Sequence, residues 1–248
     1  QDITHLTIGL GYLRIIIMID IIYRLCENET DGNLRDIRPE WFNKIACLQS
    51  FLNSVQFAEQ LVNSVTFVHD GNEGPLLDYI NQSGWGHRVI KIHHKDNLKS
   101  LISTFDIADG LDNDIYFVED DYIHKIYAIE RIAKAVKNLG LVGGYDHPDR
   151  YTRTDDANYL LKVVFDVDSD MHWRTSESTC CTWAATREVY DSIKQDIRTY
   201  GIWDRELFRH LHRRNIPLWT SIPGLTTQVD KCMSPGQDWK LLSYTATI

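Results

Sequence analysis

Strand-like and helix-like stretches alternate four times between residues 15 and 138, and this rhythm limits the fold more than any other feature. Ile15–Tyr23 reads as a buried strand. Pro39 then opens a helix whose apolar positions, Trp41, Ile45, Leu48, Phe51, Leu52 and Val55, keep helical spacing. Ser64–Val68 and Arg88–Ile92 read as strands, followed by helices at Leu76–Ile80 and Asn97–Ala108. Ile115–Val118 is a fourth strand, with an amphipathic helix at Lys125–Asn138 and a short strand at Leu141–Gly144. Strands separated by helices pair in parallel, which predicts an α/β fold with a mostly parallel central sheet flanked by helices.

The second half is less regular. A loop at Tyr145–Asp156 precedes strands at Leu160–Val167 and Thr179–Ala185. Helices at Glu188–Arg198 and Asp204–Arg214 follow, then a strand at Pro217–Thr220 and a loop at Pro223–Trp239. With no repeat and no linker, residues 1–248 read as a single domain, with a smaller irregular C-terminal half.

A net charge of −9 argues against a nucleic-acid surface, which needs clustered Lys and Arg. The five cysteines, including adjacent Cys180 and Cys181, form neither a disulfide framework nor a C-x-x-C pair, so a reducing, cytoplasmic setting is expected. Arg14 and Asp20 interrupt the apolar stretch Leu6–Tyr23, so no membrane span is expected in the chain.

The chemistry-bearing positions lie at strand ends. Ile115–Val118 empties into Glu119, Asp120 and Asp121, where an open α/β sheet places its ligands. Three adjacent carboxylates repel one another, so they form either a solvated acidic turn or a clamp for a hard divalent cation that itself holds phosphates. The chain has no G-x-G-x-x-G after its first strand and no G-x-x-x-x-G-K-[ST], which removes the main support for dehydrogenase and P-loop readings. Asp70 ends the second strand and can accept hydrogen bonds from a ribose or base edge, or simply form an Asp-Gly turn. Arg24 ends the first strand, facing a base or phosphate or else a surface carboxylate. Asp204, with Glu206 a turn later, sits where a helix begins, as an N-cap or as a carboxylate able to take a proton from a hydroxyl. Trp173-Arg174 and the segment Tyr145–Tyr151 crowd aromatic and ionisable groups of the kind that pack on sugars. His210 and His212 lie on an amphipathic helix and read as structural.

Taken in order, Tyr23-Arg24, Asp70, Glu119-Asp120-Asp121-Tyr122, Tyr145-Asp146-His147-Pro148, His172-Trp173-Arg174-Thr175, Trp203–Leu207 and the Pro223-Gly224 to Ser234-Pro235 loop resemble the GT-A nucleotide-sugar glycosyltransferases. The resemblance is to small family-2-like enzymes of viruses and bacteria. It implies a GT-A (Rossmann-like) fold, with about residues 1–144 binding a nucleotide-sugar donor, a UDP-sugar in the first instance. About residues 145–248 would form the acceptor side, for a glycan, protein or lipid hydroxyl. It implies donor contacts from Arg24, Asp70, Glu119, Asp120, Trp173 and Arg174, with Asp121 as ligand of Mn²⁺ or Mg²⁺. Asp204 matches the second acid of the family's E-D motif, the base of inverting members, while Trp203 stands at the first. Gln228 stands where many relatives carry a His. A retaining transferase, a sugar-phosphate nucleotidyltransferase and a non-catalytic carbohydrate-binding protein are the alternatives.

Overall fold

A computed structural model describes residues 18–27, 38–84, 87–152 and 161–245. Three parallel ladders set the frame: β1 (Ile19–Leu25) lies between β2 (Val62–Asp70) and β4 (Asp114–Glu119), and β3 (Arg88–Ile92) pairs outside β2. The helices joining them are α1 (Lys44–Phe57), α2 (Pro75–Gln82) and α3 (Asn97–Ala108). Because these four strands run the same way, their carboxyl ends share one edge of the sheet.

The sheet continues into the second half. The full order is β3-β2-β1-β4-β9-β6-β10-β8-β7, with β6 (Leu141–Gly143), β7 (Val163–Asp166), β8 (Met171–Ser176), β9 (Trp183–Ala185) and β10 (Leu218–Ile222). Strand β9 runs antiparallel to both β4 and β6, while β6 and β10 are parallel. The direction reversed at β9 is therefore restored at β6 and β10. A separate two-stranded sheet joins β5 (Tyr122–His124) to β11 (Thr226–Gln228). The remaining helices are α4 (Ala128–Leu139), α5 (Asp149–Thr152), α6 (Arg187–Tyr200), α7 (Asp204–Arg213) and α8 (Trp239–Thr245).

Several expectations shift for local reasons. The first helix begins at Lys44 rather than Pro39: Phe42 N bonds Pro39 O in a turn, and the Asn43 side chain caps the helix by accepting from Ile45 N at 2.8 Å. The amphipathic helix begins at Ala128 because Tyr122–His124 is drawn into a ladder with Thr226–Gln228. The segment from His172 to Ser176, expected to be a loop around Trp173-Arg174, is most of strand β8. Residues 15–17 of the expected first strand, 153–156 of the Tyr145–Asp156 loop and residue 160 of the expected Leu160–Val167 strand lie outside the described residues.

The alternation along β1 shows how the core is divided. Ile19, Ile21, Tyr23 and Leu25 pack on one face with Phe51, Phe67 and Ile129, whereas Ile22 packs on the other with Phe105, Phe117 and Trp183. Asp20, the charge within this apolar stretch, is buried but accepts from Asn63 Nδ2 at 2.7 Å, Ser64 Oγ at 2.5 Å and Asn113 Nδ2 at 3.0 Å. A buried carboxylate so bonded is tolerable where a bare one is not. Among the described residues, no helix is long and apolar enough to cross a membrane, and all five cysteines are free.

Phe51 closes the first face from α1, with its ring 4.6 Å from that of Tyr23 and 6.3 Å from that of Phe67. Phe51→Ala should cost about 3–5 kcal/mol. Urea unfolding should show a lower midpoint with an unchanged slope, and an unchanged midpoint would mean that α1 is not docked here.

Candidate active site

The carboxyl ends of β1, β2 and β4 open into a cleft of about 370 Å³. Arg24, Asp70 and Glu119 to Asp121 enter it from the strands, and Asp204 enters from the start of α7. Arg24 and Glu119 are register partners on neighbouring strands, so their side chains leave the same face. The guanidinium grips the carboxylate through Nε at 3.0 and 3.1 Å and Nη2 at 2.7 Å, and its Nη1 bonds the Asn97 carbonyl and side-chain oxygens at 3.0 and 2.7 Å. Burial pushes the Glu119 carboxyl up, against the downward pull of Arg24.

The next two acids are held just as closely. Asp120 Oδ2 accepts from Cys26 N at 2.8 Å and Lys44 Nζ at 3.0 Å. Asp121 Oδ2 accepts from Arg38 Nη2 at 2.6 Å and Gln228 Nε2 at 2.9 Å. Gln228 arrives through the β5–β11 ladder, where it is paired with Tyr122. That ladder docks because Gly144 has no side chain: a Cβ there would lie 2.7 Å from Thr226 Oγ1, and Gly144 O instead accepts from Leu225 N and Thr226 N.

Asp204 is the first residue of α7, after Trp203, rather than its cap. Its Oδ2 accepts from Ser178 Oγ at 2.8 Å and Thr179 N at 2.9 Å. Burial pushes its pKa above the ordinary aspartate value, while Thr179, Ser178 and the backbone groups of Cys180 and Cys181 pull it down. Asp70 sits on the cleft rim and accepts from Lys95 N at 3.1 Å.

Trp173 and Arg174 are elsewhere. They lie within β8, on the far side of β10, and neither lines the cleft. Trp173 is fully buried, with Nε1 bonded to Ser169 Oγ at 3.0 Å. Arg174 is buried in an ion pair with Asp146 at 2.5 Å, its guanidinium 4.4 Å from the Tyr151 ring centroid. The aromatic and ionisable crowding legible at these positions is core packing and a buried pair, because the segment is a strand and not a loop.

Arg38 and Lys44 are the cleft residues that sequence reasoning missed. Their signal was positional: the approach to a helix that follows a strand faces the same edge as the strand's carboxyl end. Six carboxylates (Asp70, Asp96, Glu119, Asp120, Asp121 and Asp204) then face three cations, so a diphosphate entering alone would meet a net negative lining. Asp121 Oδ1 is buried and has no hydrogen-bond partner. Among the described residues no three His, Cys, Asp or Glu side chains converge as a metal cage. The donor set thus fits a hard cation held by one or two carboxylates and completed by phosphate oxygens.

No family model matches the chain, and no curated protein matches it. Solved structures do share its fold. The inositol-1-phosphate CTP transferase from T. maritima matches at TM-score 0.51 and 15% identity, over 93% of this chain and 97% of that one. CMP:2-keto-3-deoxy-manno-octonic acid synthetase complexed with CTP matches at 0.50 and 13%, over 93% and 99%. Glucosyl-3-phosphoglycerate synthase from Mycobacterium tuberculosis, in complex with Mn²⁺, UDP and phosphoglyceric acid, matches at 0.50 and 12%, over 93% and 75%. The chain therefore shares the fold of these structures, with a large, mostly parallel central sheet flanked by helices.

The Arg24–Glu119 pair offers a direct check on the cleft floor. Arg24→Ala should destabilise the fold by about 3–5 kcal/mol, since it strands a buried carboxylate, whereas Arg24→Met with Glu119→Leu should be near neutral. Equal losses in urea unfolding for the single and double variants would show that the pair is not buried as described.

Proposed function

We propose that the protein is a metal-dependent glycosyltransferase that moves a sugar from a nucleoside-diphosphate sugar, a UDP-sugar in the first instance, to an acceptor hydroxyl with inversion. One observation carries this reading: Glu119–Asp121 from the end of β4 and Asp204 from the start of α7 reach one cleft from separate elements. The GT-A-like fold supports it.

In this reading Asp70 meets the nucleoside, and Arg24, Lys44 and Arg38 turn their donors toward the diphosphate. Glu119 and Asp120 hold Arg24 and Lys44 in place through their ion pairs. Asp121, through its unpartnered Oδ1, would hold Mn²⁺ or Mg²⁺ with help from Asp120. That ion, when bound, neutralises charge on the departing diphosphate. Asp204 accepts the acceptor's proton as the hydroxyl oxygen attacks the anomeric carbon. The bond from that carbon to the phosphate oxygen breaks on the opposite side, and its electron pair leaves with the diphosphate. The Ser178 hydroxyl and the Thr179 backbone N–H fix the Asp204 carboxylate's position, which lowers the entropic part of the barrier. Trp173 and Arg174 take no part in donor binding here, given their burial in β8.

Nucleotidyl transfer is the second reading, favoured by two observations: three cations line the cleft, and two of the similar structures are of enzymes that use or bind CTP. Such an enzyme would release pyrophosphate from a nucleoside triphosphate and a sugar phosphate.

A panel of UDP- and GDP-sugars should raise the melting temperature only when Mn²⁺ is present. Asp121→Ala should erase the shift, and because it removes the shielded carboxylate partner of Arg38 it should also lower the unliganded melting temperature. No shift with any donor, together with pyrophosphate release from a nucleoside triphosphate, would replace this reading with the second. Asp204→Asn should keep the donor shift but slow transfer about 10²–10⁴-fold. Proton NMR of the product should show an inverted anomeric configuration, and retention would remove the base role.

The raised pKa of Asp204 sets a sign for the pH dependence. The base works only as the carboxylate, so activity is lost as pH falls through its folded-state pKa. The acid limb of kcat/KM should stand above the ordinary aspartate value of about 4. A limb at or below that value would point to a different base.

A further inference from the structure

A second cavity, of about 440 Å³, opens over the end of β10. Strand β10 runs in the same direction as β4, so Ile222 at its end and Glu119 at the end of β4 share one edge of the sheet. The walls are Pro148, Tyr151, Thr152, Ile222, Pro223 and Pro235. Among the described residues Asp146 is the one carboxylate in the lining, and both its oxygens are engaged: Oδ1 accepts from Arg174 and Oδ2 from Tyr151 Oη, each at 2.5 Å. Apart from the Thr152 hydroxyl, the described lining offers sugar hydroxyls few side-chain partners for the water they would lose, whereas an alkyl or aryl group gains by leaving water. Size and lining suit a small apolar ligand.

Two connections tie this cavity to Asp204. Helix α5, which supplies Tyr151 and Thr152, is clipped to α7 by Asp149 Oδ2 and Arg205 Nη2 at 3.2 Å, and Arg205 follows Asp204 in the chain. Tyr145, next to Asp146, packs edge-on against Tyr122 at 5.8 Å. Tyr122 Oη in turn donates to Thr179 O at 2.6 Å, and Thr179 N donates to Asp204.

We propose that the cavity is the acceptor subsite for an apolar carrier: the acceptor presents a hydroxyl toward Asp204 and seats an alkyl or aryl group between Pro148, Tyr151, Ile222 and Pro235. The role as acceptor subsite rests on the glycosyltransferase reading. A longer chain has a path outward. Ile222 is in register with His172, and His172 with Phe165, whose ring lies 5.0 Å from the imidazole. Phe165 and Val163, two residues apart on edge strand β7, are 51% and 53% exposed, so apolar side chains resume at the sheet's outer edge beyond the His172 ring.

The test uses methyl, butyl, hexyl and phenyl β-D-glucosides as probes of the full chain, by calorimetry without donor and then as acceptors. Binding should tighten about three- to fourfold per methylene, and the phenyl arm separates an aryl from an alkyl preference. Thr152 is exposed at the mouth and away from the carboxylate cleft, so Thr152→Trp should fill the cavity and flatten the chain-length series. A flat series in the wild type overturns the subsite, as does a steep series that survives Thr152→Trp. A steep series abolished by Thr152→Trp, with no nucleotide sugar consumed by the wild type, overturns the acceptor role together with the glycosyltransferase reading and leaves an apolar-ligand cavity.

Discussion

Three carboxylates in a row at the end of a buried strand would push β4 out of the sheet unless each met a positive charge. Here each does, and each cation comes from a different part of the chain. Arg24 comes from the neighbouring strand, Lys44 from the first turn of α1, and Arg38 from the approach to that helix. The pairs are mostly shielded from solvent, so breaking one leaves an uncompensated charge and costs far more than an exposed pair would. The same contacts that hold the strand end in place fix the shape of the cleft. Stability and ligand geometry therefore rest on one electrostatic arrangement.

The first half of the fold was legible because its helices and strands each carry their own periodicity. Arg88–Ile92 and Asn97–Ala108 match their expected bounds, since apolar spacing and an Asp96 cap mark them locally. The second half resisted because its strands depend on partners far away. His172–Ser176 carries Trp, Arg and Thr in a pattern that only makes sense between β10 and β7, where Trp173 turns into the core and Arg174 turns toward Asp146. Tyr122–His124 is too short to announce a strand and exists because β11 lies beside it.

The site divides in the same way. Strand ends are local features, so Arg24, Asp70 and Glu119 to Asp121 could be placed on one edge from the alternation alone. Asp204 could be placed at a helix start, but its bonds to Ser178 and Thr179 come from tertiary folding. Lys44 and Arg38 gave no local sign of function, being ordinary cations near a Pro-led turn. Trp173 and Arg174 looked functional for a reason that was chemical rather than positional, and position decided against them.

The β5–β11 ladder has a consequence for how the molecule comes into being. It sets Gln228 against Asp121 across 107 residues of sequence, and Val229 N closes the same turn by donating to Asp121 O at 2.9 Å. During synthesis all the acids of β4 emerge long before the segment that steadies them. A nascent chain can assemble its parallel strands early, yet the carboxylate at the heart of the cleft has only part of its support until β11 leaves the ribosome. Full support of that carboxylate is thus tied to synthesis of the chain through β11.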